Sequence, residues 1–380
     1  MKNISWKNIS LLLVYIAVAL LAISDTGFQL LFMQYIGSNS SILLKIALTL
    51  LSLRLFTTRY NKKQFFIILP ILALSLYNYR ISGNIYCVYN ILLIASMKDI
   101  DYPKLFKVLF YSTFAALLII GLLSFMNIGG VVSITQDFGR GGIETRYCFG
   151  LYHPNIWHQA VARCIVFFSL GYERQLKWSH FLCLFLINWA AYYFSVSRTG
   201  FLAIFAFLLL MLLYKYAHKL MHHKIVKLGL FASTSCGYVL FSYLVYDFAN
   251  NLTIHAQLFD MKLATGRLRH AAEYLTQHPV QLLGTRFPND STLFDCGFLR
   301  MFSESGYLLA GIFFLFLFTL LIKALKNNWG QVVSTTIFIF LYSLYEVHPL
   351  TRVPYNIIVF YFALLLFPAL QKSLKTTNFI

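Results

Sequence analysis

The chain has 380 residues, of which 59% are hydrophobic, 18% aromatic and only 12% charged, with a formal net charge of +18. Soluble domains carry about 25% charged and about 45–50% apolar residues, so this composition excludes an ordinary soluble enzyme, a disordered chain and a disulfide scaffold. It is the composition of a polytopic membrane protein, in which a basic balance reflects topology before it reflects nucleic acid.

A membrane-crossing helix needs about 20 mostly apolar residues. Such runs follow one another at 9–31, 41–57, 64–79, 84–97, 105–126, 155–171, 178–195, 200–216, 226–246, 297–322, 331–345 and 353–371. The first is interrupted by Ser24 and Asp25. The expected fold is an all-α polytopic membrane protein with about 12 transmembrane helices, forming a single membrane domain over 1–380. No internal repeat is visible at the scale of about 20–50 residues. The first 23 residues lack a small-residue cleavage site and lead straight into further membrane, so no cleavable signal is expected.

The connections fall into two alternating sets. One is rich in Lys: the N-terminus with Lys2 and Lys7, then Arg59 to Lys63, Lys98 to Lys107, Glu173 to Lys177, Lys215 to Lys227, Lys323 to Lys326 and Lys372 to Lys375. The positive-inside rule assigns this set, and both termini, to the cytoplasm. The other set holds two long connections, 127–154 and the large extracytoplasmic loop 247–296, and three short ones around Arg80, Arg198 and Arg352. Apart from Lys262, its main cations are Arg80, Arg140, Arg146, Arg198, Arg267, Arg269, Arg286 and Arg352, with Arg300 just inside the next helix. Insertion selects against positive charge on this side. Keeping Arg while avoiding Lys points to bidentate phosphate or carboxylate binding; the competing reading is Arg paired with Asp or Glu to shape the loops.

In chain order, Tyr152-His153-Pro154-Asn155 opens the sixth run, with Pro suited to a helix start. Asn155, Gln159 and Arg163 then share one face, and an Arg two turns into a membrane span costs about 2.5–3.5 kcal/mol unless it meets a partner or a wet cavity. Arg163 is thus either part of a polar stripe descending from an outer cavity or half of a buried ion pair. His158 lies off the stripe and reads as a packing residue. Ser195-Val196-Ser197-Arg198-Thr199-Gly200 is an outer turn so short that Arg198 must lie at the interface, to bind a head group or to snorkel. Thr265-Gly266-Arg267-Leu268-Arg269-His270 begins a stretch whose spacing to Thr276 allows a short amphipathic helix presenting Arg267 to a lipid-linked anion. Where the loop re-enters the membrane, Asp295 and Glu304 are candidates for a general base, with Asp295 alternatively a helix cap.

Neither the six cysteines nor His218, His222 and His223 have paired metal-ligand spacing. Cys148 and Cys296 both fall outside, without a spacing that demands a disulfide. Phosphate-loop and dinucleotide fingerprints are missing as well. Energy for any reaction must then arrive with the substrate, and no cofactor or metal is expected.

With these residues in place, the chain resembles the O-antigen polymerase and O-antigen ligase family of membrane glycosyltransferases. The resemblance rests on His153-Pro154-Asn155, Ser197-Arg198-Thr199-Gly200, Gly266-Arg267, Leu283-Gly284, Asp295-Cys296-Gly297-Phe298-Leu299, Glu304-Ser305-Gly306, and Glu346 with Asn356, in that order over about 130–360. It implies a GT-C-like fold that moves glycan from an undecaprenyl-diphosphate donor to an acceptor hydroxyl outside a bacterial cytoplasmic membrane, without metal or nucleotide sugar. It also implies that Arg198 and Arg267 hold the diphosphate, with Arg269 as a neighbour; Arg163 and Asn155, from the polar stripe, are further candidates for donor contacts. Ligases of the family place a His near the start of the re-entering helix; Asp295-Cys296-Gly297 stands there instead, which favours a polymerase of repeat units. The base stays open between Asp295, Glu304 and His153. The partners implied are the lipid-linked donor and acceptor, membrane lipid, a flippase and a chain-length regulator, with no nucleic acid.

Overall fold

The computed structural model describes residues 6–28, 42–138, 142–251, 253–261, 266–286, 295–347, 350, 352 and 354–375; Arg140 and Lys262 lie outside them. The apolar runs become helices, because a backbone without water must satisfy its own polar groups. They are α1 (Trp6–Ile23), α2 (Ile42–Thr57), α3 (Lys62–Ser82), α4 (Tyr86–Ser96), α5 (Tyr102–Phe125), α6 (Pro154–Gly171), α7 (Trp178–Ser195), α8 (Arg198–Tyr216), α9 (His218–Met221), α10 (Lys224–Asn250), α11 (Ile254–Phe259), α12 (Arg267–Gln277), α13 (Gly297–Asn327), α14 (Gly330–Ser343), α15 (Ile358–Leu366) and α16 (Pro368–Lys375). Six segments among the described residues are long and apolar enough to cross a membrane: Trp6–Thr26, α3, α5, α8, α10 and α13. Their outward side chains agree. Phe66, Leu122, Leu202 and Leu315 are apolar yet more than half exposed, a pattern that water penalises and lipid solvates.

Local chemistry sets the helix ends. Asn61 and Gln64 form a reciprocal capping box at the start of α3, and Gly83, at φ 74°, ends it in the left-handed region. Asp101 caps α5. The run expected over 353–371 is divided: α15 stops at Leu366 and Pro368, which suits a helix start, opens α16. At nine residues, α15 is only about 14 Å long.

The expectation of an all-α chain needs one amendment. Within 127–154, strands β1 (Ser133–Asp137) and β2 (Ile143–Tyr147) pair antiparallel, with Ser133 opposite Tyr147 and Asp137 opposite Ile143. Residues 139–141 between them lie outside the described set. Ile134, Thr135, Ile143, Thr145 and Tyr147 are strand formers, and that enrichment is the signal the sequence offered.

The chain divides into two compact units. The first comprises Met1–Tyr60, Leu92–Leu212 and Phe367–Ile380; the second comprises Asn61–Ile91 and Leu213–Leu366. In the first, α1 packs on α2 and α5, and α5 packs on α6. Ile120, Leu151 and Ala160 form a core flanked by Leu117, Ile156 and Trp157. Gly150, at φ 87°, brings the chain after the hairpin against α5, where a Cβ would stand 2.7 Å from Ile120 Cγ2 and 2.8 Å from its carbonyl oxygen. Arg54, buried inside α2, donates to Ser10 Oγ and to the Lys98 carbonyl. In the second unit α12 packs on α10, while α13 packs on α3, α14 and α15.

Candidate functional site

A helix of 31 residues as apolar as α13 has no sequence reason to stop, yet it breaks at Gly306, where φ is 75° and ψ 169°. Backbone groups freed at membrane depth must find partners in the protein or in a water-filled cavity. The segment ahead of the helix supplies them. Thr285 N–H donates to the Ser303 carbonyl, Tyr307 N–H to that of Gln281 and Leu308 N–H to that of Leu282, each at 3.0 Å. Asn78, buried in the last turns of α3, donates through Nδ2 to the carbonyls of Leu283 (2.5 Å) and Ser305 (3.2 Å). Glycine is needed on both sides of this crossing. A Cβ on Gly306 would lie 2.1 Å from Gly284 N, and one on Gly284 would lie 2.3 Å from the Glu304 carbonyl oxygen.

Beside the break is a cavity of about 220 Å³ whose lining includes Asn84, Tyr86, Arg300, Glu304, Val347 and Arg352. Glu304 Oε1 accepts from Arg300 Nε at 2.6 Å, one turn away on the same helix. Its Oε2 accepts from Asn84 Nδ2 at 2.5 Å. The two side chains are 16% and 13% exposed, dry enough to strengthen their interaction and open enough to meet a ligand. The guanidinium carbon of Arg352 lies 5.9 Å from the centre of the Tyr86 ring. Arg300, Arg352 and Glu304 thus line the same cavity. Tyr274 of α12 feels the same pair: burial raises its phenol above the ordinary range, Arg300 opposes that rise and Glu304 adds to it.

Arg267 and Asp295 come together in a second cluster of this unit. Arg267 starts α12 just after Gly266, at φ 87°. Its Nε donates to the Tyr345 carbonyl at 2.9 Å, Nη2 lies 3.5 Å from Glu346 Oε1, and Nε lies 3.9 Å from Asp295 Oδ2. Asp260 Oδ1 receives the Leu268 N–H at 2.8 Å and so steadies the start of the helix. The helix that the spacing allowed up to Thr276 extends to Gln277, with Arg269 exposed on it. Asp295 does not occupy the cap position of α13, which falls to Cys296.

The remaining candidates belong to the first unit. His153 is the N-cap of α6, where its Nδ1 accepts the Asn155 N–H at 3.2 Å and its ring meets the edge of Phe138. Arg163, further along this helix, pairs through Nη1 with Asp25 Oδ2 at 3.0 Å; the side chains are 2% and 8% exposed. Asp25 lies in the turn after α1, so two irregularities noted separately in the sequence are partners. His158 is fully buried with Nε2 3.4 Å from Asn188 Oδ1. Arg198 is exposed in the first turn of α8, directly after a turn in which Val196 takes φ 54°. Cys148 and Cys296 are free thiols.

Sequence reasoning named Arg300 and Glu304 but not their pairing, for which the spacing of four on an apolar helix was the available signal. It passed over Asn78 and Asn84 altogether. The Ser82-Gly83-Asn84 interruption between two apolar runs marked that corner, but nothing local marked a partner 220 residues away. No family model, no curated protein and no solved structure matches the chain.

Proposed function

We propose that the protein is a membrane glycosyltransferase that polymerises undecaprenyl-diphosphate-linked oligosaccharide units at the outer face of a bacterial cytoplasmic membrane. The observation that carries this reading is the cavity beside the broken helix, where Arg300, Arg352 and Glu304 meet. The reading includes twelve spans, cytoplasmic termini and a GT-C-like architecture.

In this reading Glu304 is the general base. It takes the proton of the acceptor hydroxyl as that oxygen bonds to the donor sugar's anomeric carbon. The bond from this carbon to the phosphate oxygen breaks, and its electron pair leaves with the lipid diphosphate. Preorganised guanidiniums stabilise the charge that develops there, a role for Arg300 and Arg352 with Arg267 and Arg269 in the same unit. A cavity of about 220 Å³ is smaller than the roughly 300–1,000 Å³ that drug-sized ligands occupy. It suits one sugar ring or a phosphate end, with the lipid and the rest of the glycan outside. Glu304 is preferred over Asp295 and His153 because it lines this cavity. The absence of a histidine at Asp295-Cys296-Gly297 supports polymerase over ligase.

Cells deprived of the protein should accumulate a single saccharide unit on lipid diphosphate and lose the polymer. That extracted lipid, incubated with purified protein, should yield a ladder of multiples. No ladder with one unit as both donor and acceptor overturns polymerisation, and Arg198→Ala with normal polymer removes Arg198 from donor binding.

A further inference from the structure

We infer that Asn84 is a positioning residue for Glu304, fixing the carboxylate plane through a hydrogen bond from the loop between α3 and α4. The inference rests on the base assignment proposed above and deepens it. Asn84 Oδ1 accepts the Tyr86 N–H at 2.9 Å, and the Asn84 N–H donates to Ser82 Oγ at 3.1 Å. This is the side-chain turn that Asn forms with the backbone two residues on.

The turn fixes which end of the amide is which. A flipped amide would aim its NH₂ at the Tyr86 N–H and its oxygen at the Glu304 carboxylate, losing both bonds and adding two repulsions. Nδ2 therefore faces Glu304, and it donates to Oε2 at 2.5 Å while Arg300 donates to Oε1 at 2.6 Å. With one donor on each oxygen, rotation about the last side-chain bond of Glu304 breaks at least one charge-assisted bond. Each oxygen keeps a further lone pair for a proton. Arg300 alone, one turn away on the same helix, would leave the carboxylate free to swing about that single contact. Asn84 supplies the second point from a different element, and both residues line the cavity. Asn84 touches the base and acts through it, so the expected signature is on turnover more than on binding.

The test uses full-length protein in detergent and compares wild type, Glu304→Gln, Asn84→Asp and Asn84→Ala. Asn84→Asp keeps the acceptor for Tyr86 and the side-chain shape, so it remains informative if Asn84→Ala fails to fold. The wild-type minus Glu304→Gln infrared difference identifies the Glu304 carboxylate band. In Asn84→Asp that band should shift or vanish, and kcat on the extracted lipid-linked unit should fall roughly ten- to a hundredfold with KM within about twofold. An unmoved band, an unchanged kcat or a loss confined to KM overturns the inference. If wild-type protein makes no polymer, the proposed function falls, while the band alone still decides whether Asn84 holds Glu304.

Discussion

Arg163 with Asp25 in the first unit and Arg300 with Glu304 in the second are the same chemical pair in two surroundings. The first is sealed, at 2% and 8% exposure, between a helix that runs on past Arg163 and the turn that follows α1. The second is somewhat more open, at 16% and 13%, and stands two residues ahead of a helix break and against a cavity. Ion pairs taken from water gain little net stability, since desolvation offsets attraction. The sealed pair therefore reads as a lock on packing. The open one has a carboxylate held in a defined orientation with room beside it, which a lock does not need. The surroundings of a charge, more than its identity, separate the two uses.

The largest expected effect tests the open pair. Glu304→Gln should lower polymerisation about 10²–10⁴-fold while the purified protein keeps its elution profile and melting temperature; near-normal turnover would reduce this pair to a second lock. Next comes the sealed pair. Arg163→Met strands Asp25 and should cost about 3–5 kcal/mol, read as a fall in Tm. Adding Asp25→Leu should recover most of that loss together with activity, because apolar replacement of a buried pair is commonly neutral. The matching double change at Arg300 and Glu304 should leave Tm near the wild-type value while activity stays lost. Activity lost for good in the Arg163 and Asp25 double variant would place that pair in the chemistry too.

A smaller effect is expected at the break itself. Gly306→Ala puts a Cβ 2.1 Å from Gly284 N at φ 75°, and a shift large enough to relieve it should cost about 2–3 kcal/mol. An unchanged Tm would mean that the crossing is looser than its contacts imply. The smallest tests how closed the first unit is. Burial pushes the Cys148 thiol up to about 11, so its thiolate at pH 8 is scarce and alkylation, followed by mass spectrometry, should run about a hundredfold slower than in the denatured chain. Equal rates would show the hairpin end of this unit to be open.

Most helices were legible because length and uninterrupted hydropathy are local properties. Arg163 was legible as a cost in need of a partner, and Asp25 as an interruption in need of a reason; only packing joined them. The hairpin was hidden in a segment too polar to compete with the apolar runs around it. The break in α13 was less visible still, since Glu304-Ser305-Gly306 lies inside a stretch whose mean hydropathy forecasts a continuous span. One glycine in such a run reads as tolerated, and its meaning comes from Gly284 and Asn78, which approach from other elements. Arg267 and Asp295 were both named for the outer side, but Glu346, which holds Arg267 between two carboxylates, stood out only through the family resemblance.

Everything that completes the break precedes it in the chain. Asn78 and the 281–285 segment are synthesised before Gly306, so α13 emerges from the ribosome with its replacement partners already made. Arg267 differs, because the Tyr345 carbonyl and Glu346 arrive about 80 residues later. The Asn84 and Glu304 side of the cavity is therefore made before Val347 and Arg352, which complete its lining. The Arg267 cluster closes only when the last part of the chain has entered the membrane.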